Sequence, residues 1–516
     1  MGNSKPKRLP ASGRWGGMLV TDSLLLDYKR CQRRAHLNTH GAMEERRPER
    51  DFLLKLRQES QRHIQEVLTT QFTDYREPET PTTLWQDRAR ETKTLMAQGV
   101  TCIYRGYLSH SLPINFDGEE LEPLELLGHP HLLVKVPGRS RWGNWQYRPI
   151  SIQLGRRPKP EYKILAAFYA QLLAVYQGQL PQKVEIILRR GNAYTVDLLE
   201  WLPRFHQTLA DCVQTLSQPE EPEIFISRQR CNLCHWYDHC YAIAQEQQHL
   251  SLVPGVTPSR YESLQTVGVL TIDSLAQMQT HQVAELMGTA IAEQLQQQAL
   301  ALVEKRAMVK EKKVYPLPRS PVELYFDIEA EPERNLDYLL GVVVVDHGQK
   351  TEKFYGFMAK DPEEEGLIWQ EFVQLIQTYP SAPIYHFSEY ERETIKRLGK
   401  LYGTPVKVRE EILEQCFDLH HYVVNHVICP VESYSLKSLA NWLGFQWRDA
   451  QASGDQSVCW YDNWLTTGDR QFLELILRYN EDDCRATWVL KDWLTEFLGG
   501  STIQQTPLTP SKSSSI

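Results

Sequence analysis

The sequence predicts an α/β protein with more than one domain, and three observations carry that prediction. The chain has 516 residues, more than one ordinary hydrophobic core accommodates, so two or three cores are expected. Strand-like stretches (128–154, 183–191, 325–331, 336–346) are interleaved with longer stretches of helical spacing (19–37, 50–70, 162–178, 478–494). Composition is that of a globular chain, 41% hydrophobic and 24% charged, without low-complexity bulk.

The elements follow in order. "LVTDSLLLDYKRCQRRAHL" (19–37) predicts a helix: Thr21 or Asp22 can cap it, and Leu24, Leu25, Tyr28 and Cys31 recur at helical spacing. A second helix is expected from Arg50 to Thr70. Between Gly128 and Leu154 the pattern turns β, with Gly138 and Gly143 in the turn. The helix "YKILAAFYAQLLAVYQG" (162–178) and the strand "KVEIILRRG" (183–191) come next, and a Pro/Glu loop (216–224) leads to "CNLCHWYDHC" (231–240). The stretch 250–305 is helical and Gln-rich. A basic, proline-punctuated linker (306–322) precedes a second α/β unit (323–498), and 499–516 is expected to be a disordered tail. The first domain is therefore set at 1–249, the helical module at 250–305 and the last domain at 323–498.

The bulk numbers exclude several classes. The longest apolar run, Leu339–Val345, is too short to cross a bilayer. "MGNSKPKRLP" has no apolar stretch of the kind a secretory signal needs, so a cytoplasmic, membrane-free protein is expected. Net charge is −8, which argues against a generic histone-like nucleic-acid binder, although residues 1–62 hold fourteen Lys/Arg against seven Asp/Glu. No P-loop, G-x-G-x-x-G or G-x-S-x-G occurs, leaving NTPase, dinucleotide and serine-hydrolase chemistry without support. Ten cysteines in a cytosolic chain are not expected to form a disulfide framework.

The sharpest local signal is "YFDIEAE" (325–331). Strand side chains alternate, so Asp327 and Glu329 share a face. Two carboxylates inside a core strand cost several kcal/mol unless compensated, and a divalent cation is the usual compensation. Far along the chain, "RYNEDDCRATWVLKDWL" (478–494) reads as a helix with Tyr479 and Asp483 one turn apart. Between them lie "IYHFSEYERETIKRL" (384–398), "CFDLHHYVV" (416–424) and "YSLKSLANWLGF" (434–445).

This order resembles the DEDD 3′–5′ exonucleases of the RNase H-like superfamily. Their pattern is D-x-E on the first strand, an acid opening a middle helix, and Y-x-x-x-D on the last helix. Asp327, Glu329, Tyr479 and Asp483 match it residue by residue. The middle motif departs: the family's Phe-Asp is here Tyr390–Glu391, with Asp418 the rival, and Glu391 is favoured because it can reach the same metal from one methylene farther out. The resemblance implies a two-metal hydrolysis with Mg²⁺ or Mn²⁺, in which Asp327, Glu329, Glu391 and Asp483 are ligands and Tyr479 orients the water.

Cys231, Cys234 and Cys240 form C-x₂-C-x₅-C, with Cys31 two hundred residues upstream. One distant cysteine plus a triplet resembles the iron–sulfur staple of RecB-like nucleases with the PD-(D/E)XK fold. It implies a [4Fe–4S] cluster, with zinc as the less favoured occupant. The resemblance spans residues 19–245, with His63 matching the His of the family's first motif. The catalytic positions differ: His131 stands where an Asp is expected, Ser151 and Gln153 replace Asp and Lys, and Leu165 replaces Gln, leaving Tyr169. A catalytically degenerate domain that clamps strands or duplex ends is the expectation.

"LVPGVTPSRYESLQTVGVLTIDSLA" (252–276) resembles a helix–hairpin–helix element, whose glycine turns offer backbone N–H groups to phosphate. The whole order resembles the bacterial RecB-like nuclease family, in which a restriction-endonuclease-like domain, a helical hairpin module and a YprB-type RNase H-like exonuclease domain are fused. It implies a metal-dependent 3′–5′ exonuclease acting on DNA or RNA, on single strands or 3′ ends, with a helicase or repair partner left open. The alternative is a non-catalytic nucleic-acid scaffold in which both nuclease folds are impaired.

Overall fold

The computed structural model describes residues 17–79, 84–116, 119–310 and 316–499. The expected tail after Gly499, the first sixteen residues and the centre of the linker (311–315) lie outside the described residues. The chain forms two compact units, Met1–Tyr241 and Ala242–Ile516. No helix among the described residues is long and apolar enough to cross a membrane.

The N-terminal unit is mixed α/β. A five-stranded sheet runs in the order Cys102–Tyr104, Leu132–Ser140, Gly143–Ile152, Glu185–Ile187, Ala193–Thr195, and a three-stranded sheet joins Leu19–Thr21, Glu119–Gly128 and Leu108–Phe116. The Pro160–Gln177 helix is apolar on nearly every side because it runs through the core, with Leu165, Phe168, Tyr169 and Leu172 all buried. Gly178, at φ 83°, ends it in the left-handed conformation.

The helix expected over 19–37 is broken in two. Leu19–Thr21 is a strand, and Thr21 caps Asp22–Arg30 by accepting the Leu24 N–H at 3.1 Å. Cys31 then leaves the helical region (φ −164°, ψ 118°) and its Sγ caps Gln32–His40 by accepting the Arg34 N–H at 3.4 Å. Periodicity did not reveal this break, because the apolar positions on either side stay in helical register.

The C-terminal unit begins with short helices. Gly255 (φ 91°) and Gly268 (φ 79°) make the two expected turns, and Thr271 and Ser274 form a reciprocal cap at the start of Ile272–Gln277. The Thr289–Glu304 helix is tied to the rest of the unit through Gln298, which donates to the Cys429 carbonyl and accepts from the Tyr434 hydroxyl, both at 2.8 Å.

The main sheet has five strands in the order Thr351–Met358, Leu336–Asp346, Val322–Glu331, Ile384–His386, Cys416–Asp418. The first three are antiparallel and the last two run parallel to the central Val322–Glu331. One core packs around Phe326, Val342, Trp369, Phe372 and Ile395, the other around Tyr325, Val343, Tyr385, Cys484 and Leu490. The final helix, Arg470–Gly499, contributes Ile476 to the first and Cys484, Leu490 and Leu494 to the second. It therefore lies against the two longest strands.

Candidate active site

Asp327 sits on the central strand directly opposite Gly341 in the antiparallel register, and Glu329 follows two residues on, just before a bulge at Glu329/Ala330. The Arg470–Gly499 helix brings Tyr479 and Asp483 to the same place, one turn apart. One carboxylate oxygen each from Asp327, Glu329 and Asp483 lie within 4.8 Å of one another. Glu391 stands in the first turn of the Glu389–Leu401 helix, capped by Ser388, and its charge acts on Asp327. Asp418 does something else: it caps Leu419–His426, accepting the His421 N–H at 3.0 Å.

The partners of these carboxylates are neutral. Asn480 Nδ2 donates to Asp327 Oδ2 at 2.8 Å, and Trp447 Nε1 donates to Asp483 Oδ1 at 2.8 Å. The Tyr479 hydroxyl also hydrogen-bonds Asp483. Glu329 is met by the Ser457 hydroxyl, which is 2.8 Å from the Tyr338 hydroxyl, and Glu391 accepts from Ser388 Oγ at 2.7 Å. His386 Nδ1 lies 3.5 Å from Glu391, but it donates to the Ser388 carbonyl at 2.7 Å.

Other buried acids of this unit are paired differently. Asp337 and Glu365 share Arg397, Glu323 meets Lys491 at 2.6 Å, Asp482 meets Arg448 at 2.7 Å, and Glu331 meets Arg334 at 3.1 Å. Where the fold buries an acid for structure, it supplies a cation from the chain. Asp327, Glu329 and Asp483 are held instead by neutral donors, with Lys437 acting on Asp483 through its charge.

Electrostatics follow. Burial, then the charges of Asp483, Glu329 and Glu391, hold the Asp327 carboxyl well above its ordinary range, with the Asn480 bond opposing. Burial and Asp483 do the same to Glu329. Asp483 is pushed up to about 7, chiefly by burial, against the hydrogen bonds of Trp447 and Tyr479 and the nearby Lys437. Burial and the three carboxylates raise the Tyr479 phenol, so it stays a donor at neutral pH. Like charges gathered in a low-dielectric place are what a divalent cation compensates. The donor set, all oxygen, suits Mg²⁺ or Mn²⁺.

Asn480, Trp447 and Ser457 are residues that sequence reasoning missed. A faint signal existed for the first: Gly341 interrupts the apolar run of Leu336–Asp346, and a glycine inside a strand marks close approach of another group.

In the N-terminal unit, Cys31, Cys231, Cys234 and Cys240 line one cavity of about 940 Å³. None is in a disulfide, and Cys231, Cys234 and Cys240 each feel the charge of others in the set. Ten of the residues lining this cavity are Lys or Arg and two are Glu. His235 and His239 are engaged elsewhere: His235 Nε2 is 2.8 Å from Asn38 Oδ1, and His239 Nδ1 is 2.8 Å from Glu45 Oε2.

The positions expected to have lost their acids are equally engaged. His131 Nδ1 accepts the Ile152 N–H at 3.1 Å, Ser151 is buried, and Leu165 is part of the core. Tyr169 donates to Asp22 at 2.8 Å, and Asp22 also meets His129 Nδ1 at 2.6 Å. Asp22, offered by the sequence as a helix cap, is thus a buried acceptor already saturated by this chain. His63 is buried, and its Nε2 has no hydrogen-bond partner.

No curated protein matches the chain. Residues 324–495, a third of its length, match the family RNase_H_2 of the RNase_H superfamily. The C-terminal unit therefore contains an RNase H-like domain, and the acidic centre lies within the matched stretch.

Proposed function

We propose that the C-terminal unit is a metal-dependent 3′–5′ exonuclease that hydrolyses the phosphodiesters of DNA or RNA. The observation that carries this reading is the carboxylate set, with Glu329 and Glu391 buried and Asp327 and Asp483 half-buried, whose hydrogen-bond partners are neutral, beside buried acids that have cations of their own. Asp327, Glu329, Glu391 and Asp483 would hold two Mg²⁺ or Mn²⁺ ions. Such ions, when bound, supply polarisation of the phosphate and activation of the attacking water.

The remaining roles fall to the chain. Tyr479, kept protonated by its surroundings and hydrogen-bonded to Asp483, would orient the water through its hydroxyl. Ser457, Trp447 and Ser388 would fix the oxygens they touch, so that little reorganisation is needed when charge develops.

For the N-terminal unit we propose a nucleic-acid-holding role without nuclease chemistry. Two features support this: the engaged His131 and saturated Asp22, and the cation-rich lining of the cysteine cavity. Cys31, Cys231, Cys234 and Cys240 would hold a [4Fe–4S] cluster, with a single zinc ion as the alternative occupant. Anaerobically purified protein should then contain about four iron atoms per chain; one zinc and no iron would replace the cluster with a zinc site.

The test of the main reading is cleavage of 5′-labelled single-stranded DNA and RNA with Mg²⁺ or Mn²⁺. A ladder shortening from the 3′ end, absent with Asp327→Ala, is expected. Tight binding without cleavage of either polymer would favour the non-catalytic scaffold.

A further inference from the structure

The Asn480 carboxamide is fully buried between the final helix and the strand pair that carries Asp327. Its Nδ2 donates to Asp327 Oδ2, while its Oδ1 has no hydrogen-bond partner. A buried amide oxygen without a donor is a cost to folding that an apolar side chain would not carry. The carboxamide is thus poorly explained by packing.

Gly341 provides the second observation. A Cβ at this position would lie 1.5 Å from Asn480 Oδ1 and 2.7 Å from its Cγ. The strand residue opposite Asp327 must be glycine for the amide to reach the carboxylate. One turn along the helix, Cys484 Sγ meets the Gly341 carbonyl at 3.3 Å, so helix and strand backbone touch at this point. Both elements yield space to one polar group.

We propose that Asn480 is the positioning residue for Asp327, and that Gly341 exists to admit it. Resting on the reading of the carboxylates as a divalent-cation centre, the inference gives Asn480 a specific task. The amide ties one oxygen of Asp327 and stops the carboxylate turning, so the cation meets a carboxylate already oriented. An aspartate at 480 would keep the shape but add another negative charge and lose the donor. The effect is on cation affinity through Asp327; Asn480 itself is no ligand.

The test is Mn²⁺ binding to the full chain without nucleic acid, followed by electron paramagnetic resonance of free and bound Mn²⁺. Asn480→Ala and Gly341→Ala should each weaken binding by about 10- to 100-fold, the usual cost of losing an outer partner of a metal ligand. The double variant Asn480→Ala/Gly341→Ala should bind no worse than Asn480→Ala alone, because the added methyl then occupies the space that the amide left. That variant also serves if Asn480→Ala folds poorly. Leu490→Ala, a core truncation on the same helix, should lower thermal stability without moving Mn²⁺ affinity. Wild-type affinity in folded Asn480→Ala, or an equal loss in Leu490→Ala, would overturn the positioning role. Failure of the wild-type protein to bind Mn²⁺ would instead remove the cation centre itself.

Discussion

Trp447 and Asp483, 36 residues apart, are joined by an indole N–H that donates to the Asp483 carboxylate at 2.8 Å. Trp447 is nearly buried, with Lys437 over its ring at 5.6 Å. The bond opposes the burial that pushes Asp483 up to about 7. Trp447→Phe keeps most of the packing and removes the donor, so the Asp483 carboxyl should rise further. The acid limb of the nuclease pH profile should move to higher pH, by about half a unit to one unit. An unchanged limb would detach this tryptophan from the site.

The same shifts predict how stability, pH and metal are linked. Asp327, Glu329 and Asp483 are all raised in the folded state, so folding favours their protonated forms. The stability they contribute is complete below the ordinary carboxylate range and is lost as pH rises through the folded value, about 7 for Asp483. Metal-free protein should lose melting temperature from this cluster between pH 5 and 8. Stabilisation by saturating Mn²⁺ should grow over the same interval. Below pH 7 apparent Mn²⁺ affinity should fall by about tenfold per pH unit for each proton displaced. Thermal scans at pH 5 and 8, with Mn²⁺ and with chelator, check both signs.

Removing one acid should trade function for stability. Asp327→Asn preserves shape and can still hydrogen-bond Asn480, while it removes a half-buried charge that repels Asp483, Glu329 and Glu391. Metal-free Asp327→Asn should be more stable than wild type at pH 8, by about 1 to 3 kcal/mol, and should cleave nothing. A less stable variant would mean that Asp327 is held by interactions of the ordinary structural kind.

The sequence revealed the carboxylates and hid what holds them. Asp327 and Glu329 were legible because acids on one face of an apolar strand violate its pattern, and Tyr479 with Asp483 because their spacing is one helical turn. Asn480 lies between those two, yet a polar residue in a helix carries no signal of its own; its meaning comes from Asp327, 153 residues away. Trp447 lies outside any helix or strand, in the stretch between Leu436–Trp442 and Gly454–Thr467, where an aromatic residue predicts nothing. The break at Cys31 was hidden for a local reason: the cysteine replaces a helical position by capping the next helix with its own sulfur. The sheet order was not legible in the sequence, because strands as short as Ile384–His386 and Cys416–Asp418 leave too little alternation to read.

The two rivals for the middle acid give the last prediction. Glu391 is buried in the first turn of its helix, holds the Ser388 hydroxyl at 2.7 Å and acts on Asp327. The same helix is fixed to the sheet by its neighbour Tyr390, whose hydroxyl donates to Asp337 at 2.6 Å, and by Arg397, which joins Asp337 and Glu365. Glu391 is therefore presented by a rigid element, which a ligand one methylene longer than aspartate requires. Asp418 meets the His421 N–H as a helix cap, a task that asparagine performs about equally well. Glu391→Gln should cost at least about 100-fold in cleavage rate, more than an outer partner would. Asp418→Asn should leave the rate within about twofold and the melting temperature nearly unchanged. The reverse pattern, with Asp418→Asn inactive and Glu391→Gln active, would move the middle ligand to the end of the Cys416–Asp418 strand.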